Sequence, residues 1–285
     1  MVQRLSTKEE YLKRINIMVE YVNNHLDENI ELSKLAEIAN FSPYHFHRIV
    51  KAFLGEPIGA FIVRMRLETA ARLLRYTDLP IQEIAFRVGY DMPSSLSKGF
   101  KSFYAISPNE YRTNKNYTIM KPSEVNPDLK LKSRVVELEK KQVIYVRLTG
   151  DYKKNDYCSA WETLWGYVKE AKLFSAGIEH ICIYHDDPVV TEAEKLRTDV
   201  CLVLPKAAMP EGKIGVKEVA GGKYAVFLYQ GPYENLGMVY DTIYGKYLPD
   251  EAFQFRTLPS FEKYLNHPDR TEPEKLKTEI YIPIE

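Results

Sequence analysis

The chain has 285 residues, 45% hydrophobic and 27% charged, with Lys/Arg and Asp/Glu balanced at 39 each. That length favours two domains, and that composition is ordinary for a soluble globular protein able to bury a core. No run of 18 apolar residues and no apolar N-terminal stretch occurs, so neither a membrane span nor a secretory leader is expected, and the chain is read as cytoplasmic. Cys158, Cys182 and Cys201 lack Cys-x-x-Cys spacing and fit reduced thiols better than a disulfide framework. A first helix is predicted over residues 7–26, with Leu12, Ile15, Val19 and Val22 on one face and Thr7 with Glu10 spaced as a capping box. Leu32 to Phe53 then reads as helix, turn and helix, the first capped by Ser33 and the second beginning at Pro43. Gly55-Glu56-Pro57 breaks that helix, and a long joining helix is expected from Ile58 to Tyr76. Ile81 to Arg112 repeats the earlier pattern: Ile84, Ala85 and Val88 at helical spacing, Gly89 in the turn, and a helix opening at Pro93 and carrying Leu96, Phe100 and Phe103.

The two copies align closely. Leu35-Ala36 matches Ile84-Ala85, Phe41 matches Tyr90, Phe46 matches Leu96, Arg48 matches Lys98, Lys51 matches Lys101, and Phe53 matches Phe103; the second turn has one extra residue. Residues 41–115 hold 11 Lys/Arg against 6 Asp/Glu, a modest local basic excess inside a chain of zero net charge. With the closing pattern Gly89-Tyr90, Phe100-Lys101, Ser107-Pro108 and Tyr111-Arg112, residues 8–113 resemble the AraC-type transcription regulators. The resemblance implies an all-α double helix-turn-helix domain over residues 1–113, binding double-stranded DNA in two adjacent major grooves. It places groove contacts at Tyr44, His47 and Arg48, with Lys51 one turn on, and in the second copy at Ser94, Ser95, Ser97 and Lys98, with Lys101 following. Arg48 can donate bidentately to guanine, a geometry that Lys98 lacks, so base specificity is expected mainly from the first motif.

Residues 114–130 carry Pro122 and Pro127 among polar residues without periodicity and are read as a linker. Beyond it the pattern changes to strands: Val135–Leu138, Val143–Leu148, Ile181–Tyr184 and Val200–Leu204 are rich in β-branched residues. A helix over about residues 159–171 holds Trp161, Leu164, Trp165 and Val168 on one face. The order then repeats about 80 residues later: Gly150-Asp151-Tyr152 returns as Gly231-Pro232-Tyr233, Tyr184 as Tyr264, Pro188 as Pro268, and Arg197-Thr198-Asp199 as Lys277-Thr278-Glu279. Such a duplication predicts an α+β domain of two similar halves about a pseudo-twofold axis, each with antiparallel strands and a helix.

Tyr184 to Pro188 (Tyr-x-Asp-Asp-Pro), Gly231-Pro232-Tyr233, Phe261 to Leu265 and the ending at residues 278–283 resemble the GyrI-like effector-binding domain of multidrug-responsive regulators, over residues 131–285. An AraC-type module followed by this domain is the arrangement of regulators of the Rob type. Glu262 breaks the internal symmetry, since its counterpart is Cys182. Strand alternation puts Glu262 and Tyr264 on one face. A carboxylate there, among Tyr152, Trp165, Tyr184 and Tyr233, would suit a hydrophobic cation, and the resemblance assigns that use to the Glu at this motif position. The plainer reading pairs Glu262 with Lys263 or Arg256 on a solvated face.

The sequence therefore predicts a transcription regulator, an activator, that responds to a small hydrophobic and cationic effector and has RNA polymerase as a protein partner. No cofactor or metal is expected: His180-x-Cys182-x-x-His185 splits its ligands across two strand faces, and no nucleotide-binding or serine-hydrolase motif occurs. Two alternatives stay open. One is a small hydrolase using Glu262 with Tyr152 or Tyr264 as acid–base pair; the other is a protein-docking module for polymerase or topoisomerase.

Overall fold

The computed structural model describes residues 7–122, 124–248 and 253–285, apart from the side chains of Thr7 and Tyr44. The capping box expected at Thr7 therefore lies outside the described residues. The chain divides into two compact units, one ending at Tyr117 and including Pro210–Gly215, the other comprising Thr118–Met209 and Val216–Glu285.

The first unit is helical: α1 (Thr7–Asn24), α2 (Leu32–Ile38), α3 (Pro43–Leu54), α4 (Ile58–Tyr76), α5 (Ile81–Arg87), α6 (Pro93–Tyr104) and α7 (Pro108–Thr113). Ile15, Met18, Val19 and Val22 of α1 pack with Leu35, Phe46 and Val50 and with the first turns of α4 through Phe61, Ile62 and Met65. Further along, α4 packs on α5, α6 and α7. There Ile84, Leu96, Phe100 and Tyr111 are buried, with the Phe100 and Tyr111 rings 5.6 Å apart. One helix thus serves as backbone to both lobes, as its uninterrupted apolar pattern requires. Each helix-turn-helix turn has one left-handed residue, Asn40 (φ 50°) in the first and Gly89 (φ 79°) in the second.

Gly89 is needed for more than its φ. A Cβ there would stand 2.1 Å from the Leu26 carbonyl oxygen and 2.6 Å from the Arg66 guanidinium. Arg66, on α4, donates to the carbonyls of Leu26 (3.0 Å) and Glu28 (2.6 Å) and lies over the Tyr90 ring. The joining helix therefore fastens the loop that closes α1 against the turn of the second motif. Ser33 is not a cap. The helix begins one residue earlier, at Leu32, and Ser33 donates to the Glu31 carboxylate instead.

The second unit is built on one antiparallel sheet: β1 (Lys132–Leu138), β2 (Lys141–Thr149), β3 (Glu179–Tyr184), β4 (Arg197–Val203), β5 (Ile214–Val219), β6 (Gly222–Gln230), β7 (Ser260–Tyr264) and β8 (Lys277–Pro283). Helix α8 (Tyr157–Glu170) follows β2, and α9 (Leu236–Thr242), continued by a π-helical turn over Ile243–Tyr247, follows β6. The strand order is β1-β6-β8-β7-β3-β4-β2-β5. Read from the middle outwards, that order pairs each strand with its repeat: β7 with β3, β8 with β4, β6 with β2 and β1 with β5. The two halves share one eight-stranded sheet, and each lends its first strand to the other half's edge.

The pseudo-twofold axis can be placed by register. β3 and β7 pair antiparallel with Cys182 opposite Glu262 and Tyr184 opposite Ser260. Equivalent residues differ by 80, so Cys182 and Glu262 are the position where the repeat meets itself. One face of the sheet buries Tyr145, Ile183, Tyr224, Phe261 and Tyr281. The other carries Ala225, Phe227, Ile280 and Ile282 against α9. Glu262 pairs with Ile280 and therefore belongs to the helix-bearing face. On the opposite face Asp199 is fully buried, held by Arg147 through two 2.7 Å contacts, by His185 at 2.7 Å and by Lys217. These neighbours hold Asp199 well below the usual carboxylate range against the cost of its burial.

The segment read as a linker is fastened along the second unit. Met120 donates to the Val189 carbonyl (3.0 Å), Glu124 N–H to Asp241 (2.8 Å), Asn126 N–H to Thr242 (2.9 Å) and Leu131 N–H to the Tyr247 hydroxyl (2.8 Å).

Candidate DNA-facing helices and effector site

α3 and α6 are the second helices of the two motifs, and each hides one apolar face. Phe46 and Val50 are buried in α3, as are Leu96 and Phe100, fifty residues on, in α6. On the remaining face of α3, His47, Arg48 and Lys51 are exposed. On α6, Ser94, Ser95, Lys98 and Lys101 are exposed and Ser97 is half-buried. The Tyr44 side chain lies outside the described residues. Both helices open with Pro at their first position and end on a left-handed residue, Gly55 (φ 75°) and Ala105 (φ 59°). A set of basic and hydroxylated side chains turned to solvent from the first turns of paired helices suits groove and phosphate contacts.

In the second unit, Glu262 stands on the pseudo-axis and is 1% exposed. Tyr264 donates its hydroxyl to the Glu262 carboxylate at 2.7 Å, as strand alternation predicts. The Tyr184 and Tyr264 hydroxyls, one from each half, meet at 3.4 Å. Tyr240 of α9 turns its hydroxyl toward Glu262 and Ser260 without closing a hydrogen bond to any described residue. Rings build outward from this point: Tyr233 on Tyr264 (5.3 Å between centroids), Tyr152 on Tyr184 (4.9 Å), and Trp161 on Tyr264 (6.4 Å).

Burial pushes the Glu262 carboxyl up to about 7, although the hydroxyls of Tyr264, Tyr184 and Tyr240 pull the other way. Burial likewise raises Tyr184, Tyr240 and Tyr264 well above the ordinary phenol value and Tyr233 to about 12. The site is thus an acid ringed by neutral hydroxyls and aromatic faces. A carboxylate and aromatic faces in one place are the chemistry that attracts organic cations in general.

Two expectations need correcting. Trp165 is not part of this ring: it stacks on Phe174 (5.8 Å) and tilts against His180 (5.4 Å), while Trp161, one turn earlier, reaches Tyr264. Pairing of Glu262 with Lys263 or Arg256 is also excluded. Lys263 is 3.3 Å from Glu179, and Arg256 donates to the Gly221 and Lys223 carbonyls. Tyr152 reaches this cluster through its ring, since its hydroxyl donates to the Asp186 carbonyl at 2.8 Å. From the sequence Tyr240 has no assigned role, and Trp161 has only a place on one helix face. Both occupy helix positions whose neighbours are set by packing.

Known proteins match in two blocks. Residues 35–114 match a helix-turn-helix domain, and residues 131–285 match the GyrI-like small molecule binding domain. The chain belongs to the GyrI-like family. This GyrI-like protein is 24% identical to the transcriptional regulator Rob of Salmonella typhimurium over 288 residues, covering 93% of this chain and 95% of Rob. It is 30% identical over 126 residues to the uncharacterized HTH-type transcriptional regulator YbfP of Bacillus subtilis, covering 44% of this chain and 43% of YbfP. The cryo-EM structure of an EcmrR–DNA complex is similar at 16% identity with a TM-score of 0.47, covering 90% of this chain and 85% of that one. The GyrI-like chain is a transcriptional regulator with a helix-turn-helix DNA-binding domain and a small-molecule-binding domain.

Proposed function

We propose that the chain is a cytoplasmic, one-component activator whose C-terminal domain (residues 131–285) takes a small hydrophobic cation as effector, with residues 114–130 joining it to a DNA-reading domain over residues 1–113. The observation that carries this reading is Glu262: a carboxyl 1% exposed, on the seam of a duplicated fold, with hydroxyls rather than a basic side chain among its described neighbours. A cation entering that ring would supply the missing countercharge. Tyr184, Tyr264, Tyr233, Tyr152, Tyr240 and Trp161 offer faces for cation–π contact, each worth about 0.5–2 kcal/mol.

On the DNA side, α3 and α6 would engage two adjacent major grooves of duplex DNA. Tyr44, His47 and Arg48 would read bases, Ser94, Ser95, Ser97 and Lys98 would anchor the second site, and Lys51 and Lys101 would contact phosphates. RNA polymerase would be the partner through which activation is exerted. An effector can drive this only by binding the active and inactive arrangements unequally.

Thermal unfolding of the full chain with increasing tetraphenylphosphonium tests the sensor reading. The expected result is a Tm that rises with ligand concentration in the wild type and hardly at all in Glu262→Gln. A flat wild-type response across lipophilic cations overturns it.

A further inference from the structure

The reading of Glu262 as the effector-binding acid has a consequence for the proton that the acid carries. Below about pH 7 a carboxyl 1% exposed, with the Tyr264 hydroxyl donating to it at 2.7 Å and no basic side chain among its described neighbours, keeps its proton until a countercharge arrives. We infer that effector capture is a cation-for-proton exchange: a permanent organic cation enters the tyrosine ring as Glu262 gives up its proton to solvent, one for one, whereas a neutral molecule of similar bulk binds with the proton retained. The inference rests on the proposed effector site and deepens it. The O–H bond of the carboxyl breaks, the electron pair stays on the carboxylate as partner to the cation, and the proton leaves to buffer.

The groups around Glu262 make the exchange readable. Tyr264 shares its strand, Cys182 and Tyr184 face it from β3, Tyr240 from α9 and Tyr233 from the turn before α9, while Tyr157 of α8 lies against Cys182 and Tyr184. Each of these is held above its ordinary value by burial, so none loses a proton between pH 5.5 and 8. His180, two residues along β3 and packed on Trp161, is pushed below its ordinary value by burial and is one further titratable neighbour. Asp241, also on α9, is raised above its ordinary value by burial while it accepts from the Glu124 N–H, and is the other. Ile280 is the apolar neighbour from β8.

The test is calorimetric titration of the full chain with tetraphenylphosphonium, which carries no proton of its own, in two buffers of different ionisation enthalpy. At pH 6 close to one proton should be released per cation bound, falling toward none at pH 8. The Kd should tighten about thirtyfold from pH 5.5 to 8, following a tenfold-per-unit dependence below about 7. Triphenylphosphine oxide, neutral and of similar bulk, should show neither effect. In Glu262→Gln, checked for native unfolding at pH 6, the cation should bind weakly with a flat pH profile.

Wild-type binding of the cation without proton release overturns the exchange and leaves the effector site standing. A pH dependence that survives in Glu262→Gln overturns it as well and moves the proton to a neighbouring group, His180 or Asp241. Absence of any cation binding at either pH removes both the exchange and the site.

Discussion

Cys182 and Glu262 face each other across the β3–β7 seam, at the register position where each is the other's equivalent in the duplicated half. Nothing in the sheet's geometry distinguishes the two positions, and both side chains are 1% exposed. The chemistry differs completely: one half offers a thiol that burial keeps protonated, the other a carboxyl that burial pushes to about 7. The seam is thus symmetric in register and acidic on one side only.

The Glu262 carboxyl makes the ligand-free protein less stable as pH rises. Its folded value, about 7, lies above the 4.5 of an unperturbed glutamate, so the native state holds the extra proton between those limits. Its contribution to stability is fully present below pH 4.5 and is lost progressively as pH rises through 7. Compared with Glu262→Gln, whose amide does not titrate, the wild type should lose about 3 kcal/mol between pH 4.5 and 8. Urea unfolding of both proteins across that range measures the difference; parallel curves would show that Glu262 does not change charge there.

The helix-turn-helix repeat and the acid on the symmetry axis were legible in the sequence for one reason: both are encoded by spacing. Leu35/Ile84, Ala36/Ala85 and Phe46/Leu96 recur at nearly constant separation, and all of them are buried, as that period requires. The exchange of β1 and β5 between the halves was not legible, because strand pairing across some 90 residues leaves no local mark. Tyr240 escaped because α9 is short, carries Gly237 and passes into a π-helical turn that contains Gly245, which blurs the helical period. Trp161 and Trp165 lie one turn apart on the same face of α8, so only the packed structure tells which reaches Tyr264.

Gly89 should tolerate no side chain. Alanine there combines a left-handed backbone (φ 79°) with a Cβ 2.1 Å from the Leu26 carbonyl, and relief requires moving the loop that Arg66 fastens. Gly89→Ala is expected to cost more than 2 kcal/mol in urea unfolding, through strain plus loss of the Arg66 contacts. Gly55 is the control: its φ of 75° is similar, but nothing lies within 4 Å of an added Cβ, so Gly55→Ala should cost only about 1 kcal/mol. Equal costs for the two would locate the penalty in the backbone angle alone and dismiss the packing argument.

Ala105 ends α6 with φ 59°, where α3 uses Gly55. A non-glycine residue in that region carries backbone strain of about 1–2 kcal/mol, partly offset because alanine restricts the unfolded chain more than glycine does. Ala105→Gly should therefore raise stability by about 0.5 kcal/mol, read as a higher urea midpoint at unchanged slope. A lower midpoint would mean that the unfolded-chain contribution outweighs the strain.

The exposed residues of α3 and α6 divide into two kinds, and substitution should separate them. Arg48 is exposed on the groove-suited face of α3, and a planar guanidinium there can hold guanine O6 and N7 together. Arg48→Lys keeps the charge but loses the fork, so it should relax discrimination at one base pair by about 1–3 kcal/mol while leaving the salt dependence nearly unchanged. Lys51 and Lys101 stand one turn further along their helices, where side chains meet phosphates. Alanine at either should weaken binding evenly across sequences and lower the log–log salt slope by about 0.9, the value for one phosphate contact. Site selection followed by salt titration on the selected duplex measures both quantities. If Lys51→Ala changes the selected sequence and leaves the slope alone, the division between reading and anchoring along these helices is wrong.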